Sequence, residues 1–216
     1  MHALVCFFCC TFAHMEQTSF SENVILADAA YIDQVAFNLI VNFERMLGRR
    51  IPQADMARWA ECVALDGGVR ERPVSENGVE QQSQLVLVYD HQQEALQNFV
   101  PARYRDELNG KAFCGRLGEF VISAVSGEGL TTQDQLFLDT LQLLLAQRDV
   151  RRLMVVPSEK NYQHVVDVFR RADNTDVHAT VLAMQPQPSG PFRQEILGYS
   201  LMAALGIRGD EIHPSM

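Results

Sequence analysis

Unbroken apolar runs alternate along this chain with stretches where apolar residues recur every third or fourth position, the two patterns that separate buried strands from helices. Residues 23–28 form a short apolar run closed by Asp28 and read as a strand buried on both faces, as in a parallel sheet. The next segment carries Ile32, Val35, Ala36, Leu39, Ile40, Phe43, Met46 and Leu47 on one helical face, with Gly48 placed to end it. Pro52 is placed to open a second helix, whose buried stripe is Met56, Trp59, Ala60 and Val63. Residues 67–84 are rich in glycine and polar side chains and read as an exposed loop or hairpin.

The run from Leu85 to Asp90 is a second buried strand that again ends in an acid, and residues 91–109 read as a helical or irregular polar crossover. Phe113 and the stretch from Glu119 to Val125 suggest a pair of strands. Thr132 followed by Gln135 has the capping-box spacing and starts a helix rich in leucine. Leu153 to Val156 is a third core strand. Ser158 is expected to cap the helix after it, whose stripe is Tyr162, Val165, Val166 and Phe169. Val177 to Met184 is another strand, Gln185 to Pro191 a proline-punctuated linker, and Ile196 to Leu205 a last amphipathic helix. Strand–helix alternation of this kind predicts an α/β fold, a mostly parallel central sheet with helices on both faces. The domain is expected over residues 23–184, preceded by an extension at 1–22 and followed by a linker, helix and tail at 185–216.

Composition narrows the function classes. An apolar fraction of 47% and a charged fraction of 21% are those of an ordinary folded protein and exclude a wholly disordered chain. The net charge of −9 disfavours RNA as a partner, because phosphate neutralisation by lysine and arginine supplies most of such binding. Arg49-Arg50, Arg148 with Arg151-Arg152, and Arg170-Arg171 lie near predicted helix ends, where cations offset the macrodipole. Cys6, Cys9 and Cys10 crowd the start, and only Cys62 and Cys114 lie in the body, which argues against a disulfide framework or structural zinc. The apolar run from Ala3 to Ala13 has no basic residue before it and is too short to span a bilayer. An export signal in residues 1–14 is therefore disfavoured, and a cytoplasmic chain without membrane association is expected.

The chemistry-bearing residues collect where the strands end, the edge at which ligands bind in such sheets. Asp28, Asp90 and Glu159 fall there, with Asp134 and Asp139 on the leucine-rich helix as neighbours. Carboxylates that converge repel one another unless a divalent cation such as Mg²⁺ or Mn²⁺ neutralises them, and a bound ion could activate water against a phosphodiester. Taken singly, Asp28, Asp134 and Glu159 also fit helix capping and first-turn positions. Ser126-Gly127-Glu128-Gly129 lies between strand and helix but lacks the lysine of a phosphate loop, and no nucleophile elbow is present.

In order, these pieces resemble a degenerate member of the NYN branch of the PIN-like ribonuclease superfamily. The matching segments are Val24 to Asp28, Tyr89-Asp90, Gln133 with Asp139 six residues on, and Pro157-Ser158-Glu159-Lys160-Asn161-Tyr162. The chain is also similar to an uncharacterised bacterial family of hypothetical proteins. The first resemblance implies a metal site at Asp28, Asp139 and Glu159, assisted by Asp134 and Asn161. Gln133 stands where that family has an acid, Tyr31 where it has an asparagine, and Asn161 where it has a second acid. Three readings stay open: a metal-dependent ribonuclease, a small-molecule pocket at the same edge, and a non-catalytic scaffold. The scaffold would bind a protein partner or itself through residues 193–205, where Ile196, Leu197, Leu201, Met202 and Leu205 make an apolar stripe.

Overall fold

In the computed structural model, which describes residues 20–71, 81–172 and 176–212, the first apolar run is strand β1, Asn23–Asp28, buried at every position. Val24 and Leu26 enter the core on one face of the sheet, Ile25 and Ala27 the core on the other. A strand with no solvent face has no polar positions to alternate, so the run is continuous. β1 pairs in parallel with β3, Gln82–Tyr89, and with β7, Arg152–Val156, so that Leu26 lies between Val86 and Val155. β6, Gly118–Ser126, extends the sheet beyond β3, and β8, His178–Ala183, and β9, Arg193–Ile196, extend it beyond β7, all in parallel. β5, Ala112–Gly115, closes one edge antiparallel to β6. The order is β5-β6-β3-β1-β7-β8-β9, and the short strands β2, Ala54–Asp55, and β4, Phe99–Val100, form a separate ribbon. The expected mostly parallel α/β sheet is the observed one.

Five helices make the outer layers: α1 (Ala29–Leu47), α2 (Met56–Asp66), α3 (Gln133–Leu145), α4 (Tyr162–Arg171) and α5 (Leu197–Ala204). α1, α2 and α5 pack on the face of Ile25 and Ala27, while α3 and α4 pack on the face of Val24 and Leu26. A last helical turn, α6 (Gly209–Ile212), is tied back by Arg49 paired with Glu211. The start and stop residues act as their chemistry dictates. Asp28 accepts from the Tyr31 amide at 3.1 Å to cap α1, and Gly48 ends that helix at φ 64°, a left-handed conformation that suits a residue without Cβ.

Several boundaries differ from the sequence reading. α2 opens after Asp55, whose carboxylate accepts from the Arg58 amide at 3.0 Å, and not at Pro52. β3 begins at Gln82, inside the polar run expected to be loop; Ser83 and Gln84 are buried, and Gln84 is satisfied by the Ser123 hydroxyl at 3.1 Å. Most of the expected loop, residues 72–80, lies outside the described residues, as do residues 1–19 with the export-signal and N-terminal cysteine expectations. The crossover at 91–109 contains β4 and a π-helical turn at Tyr104–Leu108, anchored where Asp33 accepts from the Gln97 and Asn98 amides. Ser158 does not cap with its side chain; its carbonyl accepts from the Asn161 amide to start a 3₁₀ turn, Glu159–Asn161.

Residues 193–205 depart from the expected docking stripe. Arg193–Ile196 is the edge strand β9, and Leu197, Leu201 and Leu205 are fully buried in the chain's own core. That apolar stripe is therefore not a docking surface, because it is already covered; Tyr199, 70% exposed, is the large side chain that α5 turns outward. Among the described residues no helix is long and apolar enough to cross a membrane. Leu201→Ala is expected to lower the unfolding free energy by about 2–5 kcal/mol in urea denaturation. Tyr199→Ala should change it by no more than about 0.5 kcal/mol. A stable Leu201→Ala chain with altered oligomeric mass would instead mark the stripe as an interface.

Candidate functional site at the strand ends

The strand order creates a switch point beside β1. The chain steps from β1 outward to β3 and β6, returns across the sheet through α3 to β7, and continues to β8 and β9. Helices leave for opposite faces on either side of that point, which opens a crevice at the carboxyl ends of β1 and β7. Asp28 closes β1 there, and Ser158 follows β7.

Asp28 is 2% exposed. Besides the Tyr31 amide, its Oδ1 accepts from Gln133 Nε2 at 2.7 Å, and the same amide group donates to the Val88 carbonyl at 3.1 Å. The first residue of α3 is thus pinned to two adjacent strands. Burial pushes the Asp28 carboxyl above its ordinary value and the Asp134 charge adds to this, while the Tyr31 amide, the nearby Ser158 hydroxyl and the Lys160 ammonium oppose it. The Ser158 hydroxyl is itself buried without a hydrogen bond of good geometry.

Asp134 lies on the outer side of this carboxylate. Its Oδ1 accepts from Asn161 Nδ2 at 2.7 Å, and its Oδ2 faces Lys160 Nζ at 2.8 Å. The bond to Asp134 holds the Lys160 ammonium above its usual range. The outer wall is a hollow of about 460 Å³ lined by Asp90, His91, Gln133, Asp134 and Lys160 and by the turn that contains Gly127 and Gly129. Asp90 is turned to its own neighbours, with its carboxylate 3.3 Å from His91 Nδ1 and accepting from the Gln92 amide at 2.9 Å.

Of the five expected ligands, Asp28, Asp134 and Asn161 come together, and Asp139 and Glu159 do not join them. Five residues along a helix is a rotation of about 140° from the starting side. Asp139 accordingly faces away from Asp134 and accepts from Gln135 Nε2 at 2.7 Å. Glu159 is exposed at the start of the 3₁₀ turn. After burial, its charge is the largest influence raising the Tyr31 phenol, to about 12. Among the described residues no group of three or more His, Cys, Asp or Glu is placed to hold a metal ion. Two residues that matter were visible in the sequence without an assigned role. Gln133 stands in an acid's place as a donor, and Lys160 lies four residues past the end of β7, in the 3₁₀ turn that brings its ammonium to Asp134.

These features define a doubly wound α/β protein whose strand-end carboxylates are compensated by its own amide and ammonium groups. The chain belongs to DUF6621, a family of unknown function, whose model matches residues 17–212. No curated protein and no solved structure matches it.

Because the Asp28 carboxyl is raised in the folded chain, the native state takes up that proton before the unfolded state does. Stability from this group is therefore present at low pH and lost as pH rises from the ordinary 3.8 through the folded value. Asp28→Asn keeps an acceptor for Tyr31 and Gln133. It should make the chain more stable than wild type at about pH 7 by urea unfolding, with the gap narrowing toward pH 3.8. An Asn variant less stable than wild type at neutral pH would mean that the ionised carboxylate is net stabilising.

Proposed function

We propose that the chain is a degenerate PIN-like, NYN-like domain that works as a non-catalytic scaffold or interaction protein. The order of elements supports the kinship: Asp28 ends the central strand, Tyr89-Asp90 ends its neighbour, Gln133-Asp134 leads α3, and β7 runs into Ser158 and Glu159. One observation carries the loss of catalysis. The positions from which carboxylates would hold Mg²⁺ or Mn²⁺ are engaged internally, Asp28 by Gln133 at 2.7 Å and Asp134 by Asn161 at 2.7 Å and Lys160 at 2.8 Å.

A divalent cation needs several oxygen ligands converging at roughly 2.0–2.6 Å. Here the cation is a lysine tethered to the chain, and an amide nitrogen occupies the approach to the buried carboxylate. Charge-assisted hydrogen bonds of this kind are worth about 1.5–3 kcal/mol, so an entering ion would have to displace them. The Lys160 pair is half open to water and contributes less, so its role is to fill the place more than to stabilise the fold. The net charge of −9 favours a protein partner over RNA.

Isothermal titration of Mn²⁺ should give no saturable heat with either wild type or Asp28→Asn. The double variant Gln133→Asp with Lys160→Ala, which restores an acid and removes the tethered cation, should gain a binding isotherm. Stoichiometric Mn²⁺ binding by wild type that vanishes in Asp28→Asn, with Mn²⁺-dependent cleavage of single-stranded RNA, would establish the ribonuclease instead.

A further inference from the structure

Between β8 and β9 the chain runs as a strap, Met184 to Pro191, that carries Pro186, Pro188 and Pro191. Its exposure repeats every third residue. Met184, Gln187 and Gly190 are half-buried, while Gln185, Pro186, Pro188, Ser189 and Pro191 are exposed. A strand would repeat every second residue. Three residues per turn is the period of a polyproline II helix, which has no internal hydrogen bonds. Each proline fixes its own φ at about −65° and biases the residue before it to extended backbone, which reaches Gln185, Gln187 and Gly190. The three X-Pro bonds are trans, and residues 186–190 run without turn or bend.

The edge that faces the body is clamped. Gln194 Oε1 accepts from the Gln187 amide at 3.1 Å, and its Nε2 donates to the Gln187 carbonyl at 3.1 Å and to the Pro188 carbonyl at 3.3 Å. The Tyr162 hydroxyl donates to the same Pro188 carbonyl at 3.1 Å. Phe192 anchors the end, its ring packed on Tyr162 and Phe169 and folded over Gly190, where a Cβ would collide with it. Pro188 and Pro191, three residues apart, share an outer edge that is held in one conformation and left to solvent. A ridge already ordered in this way enters a partner's groove without a further ordering cost.

We propose that the Pro188–Pro191 edge docks into a groove lined by aromatic side chains on a protein partner. No charged residue lies between Met184 and Phe192, so the strap offers proline rings to aromatic faces and nothing to a phosphate. Arg193, the next residue, is already committed to the Asp66 carbonyl and to Glu195. The proposal uses none of the strand-end carboxylates and does not depend on whether those hold a metal.

The probes are a purified SH3 domain and a purified WW domain, whose grooves are of this kind, each titrated calorimetrically into the full chain. Saturable one-to-one binding by at least one of them is expected, and an excess of a short polyproline peptide should displace the chain. The double variant Pro188→Ala with Pro191→Ala should weaken binding by about tenfold or more. Gln194→Ala keeps every proline but releases the clamp, and should weaken binding by about threefold or more. Pro52→Ala removes an exposed proline outside the strap and should bind as wild type does. Pro188 and Pro191 are exposed, so the urea midpoint of the double variant should stay close to wild type. The proposal is overturned if neither domain gives saturable heat, if the double variant binds undiminished, or if Pro52→Ala loses as much as the double variant. Failure of the polyproline peptide to compete would overturn it without any variant having to fold.

Discussion

The carboxylate of Asp28 sits at the end of a strand buried on both faces, where water cannot compensate it. Ionised groups in such places must be hydrogen-bonded or paired, since desolvation otherwise costs several kcal/mol. The surrounding structure is arranged around that requirement. The Tyr31 amide meets the carboxylate and thereby starts α1, and the Gln133 amide meets it and thereby fixes where α3 enters above β1 and β3. One buried charge thus sets the entry of a helix on each face of the sheet.

Asp134 stands in the same neighbourhood and adds a second charge, which raises the need for compensation. Two answers were open to the chain: an ion drawn from solution, or donors built into the sequence. Asn161 and Lys160 are donors of the second kind, delivered by the 3₁₀ turn that follows β7. That turn also explains why Glu159 fails to join. Consecutive residues of a tight turn project in different directions, so bringing Lys160 and Asn161 over Asp134 leaves Glu159 in solvent.

Much of the scaffold was legible in the sequence because its signals are local. β1, the apolar part of β3 and β7 are visible as uninterrupted runs, and α1, α2, α3 and α4 as three-four stripes. Asp28, Thr132 and Gly48 are helix ends whose chemistry does not depend on the fold. What escaped depends on partners distant in sequence. Ser83 and Gln84 look like loop until β6 is known to supply a cover and a hydroxyl, and Arg193-Gln194-Glu195 carries no strand signal because an edge strand needs no apolar run. The candidate site was half legible. Strand-end acids could be listed, but which of them converge follows from rotation around α3 and from the 3₁₀ turn, and neither is written in residue type. The apolar stripe of α5 shows the same limit, since only the assembled core reveals that the covering surface is the chain itself.

The central claim is that internal donors take the place of a metal at the end of β1, and diffraction from crystals soaked in manganese addresses it directly. Anomalous difference maps should show no peak within coordination distance of Asp28 and Asp134, with Lys160 Nζ still against the Asp134 carboxylate. A peak bridging the two carboxylates, with the lysine swung away and the Gln133 contact broken, would contradict the account.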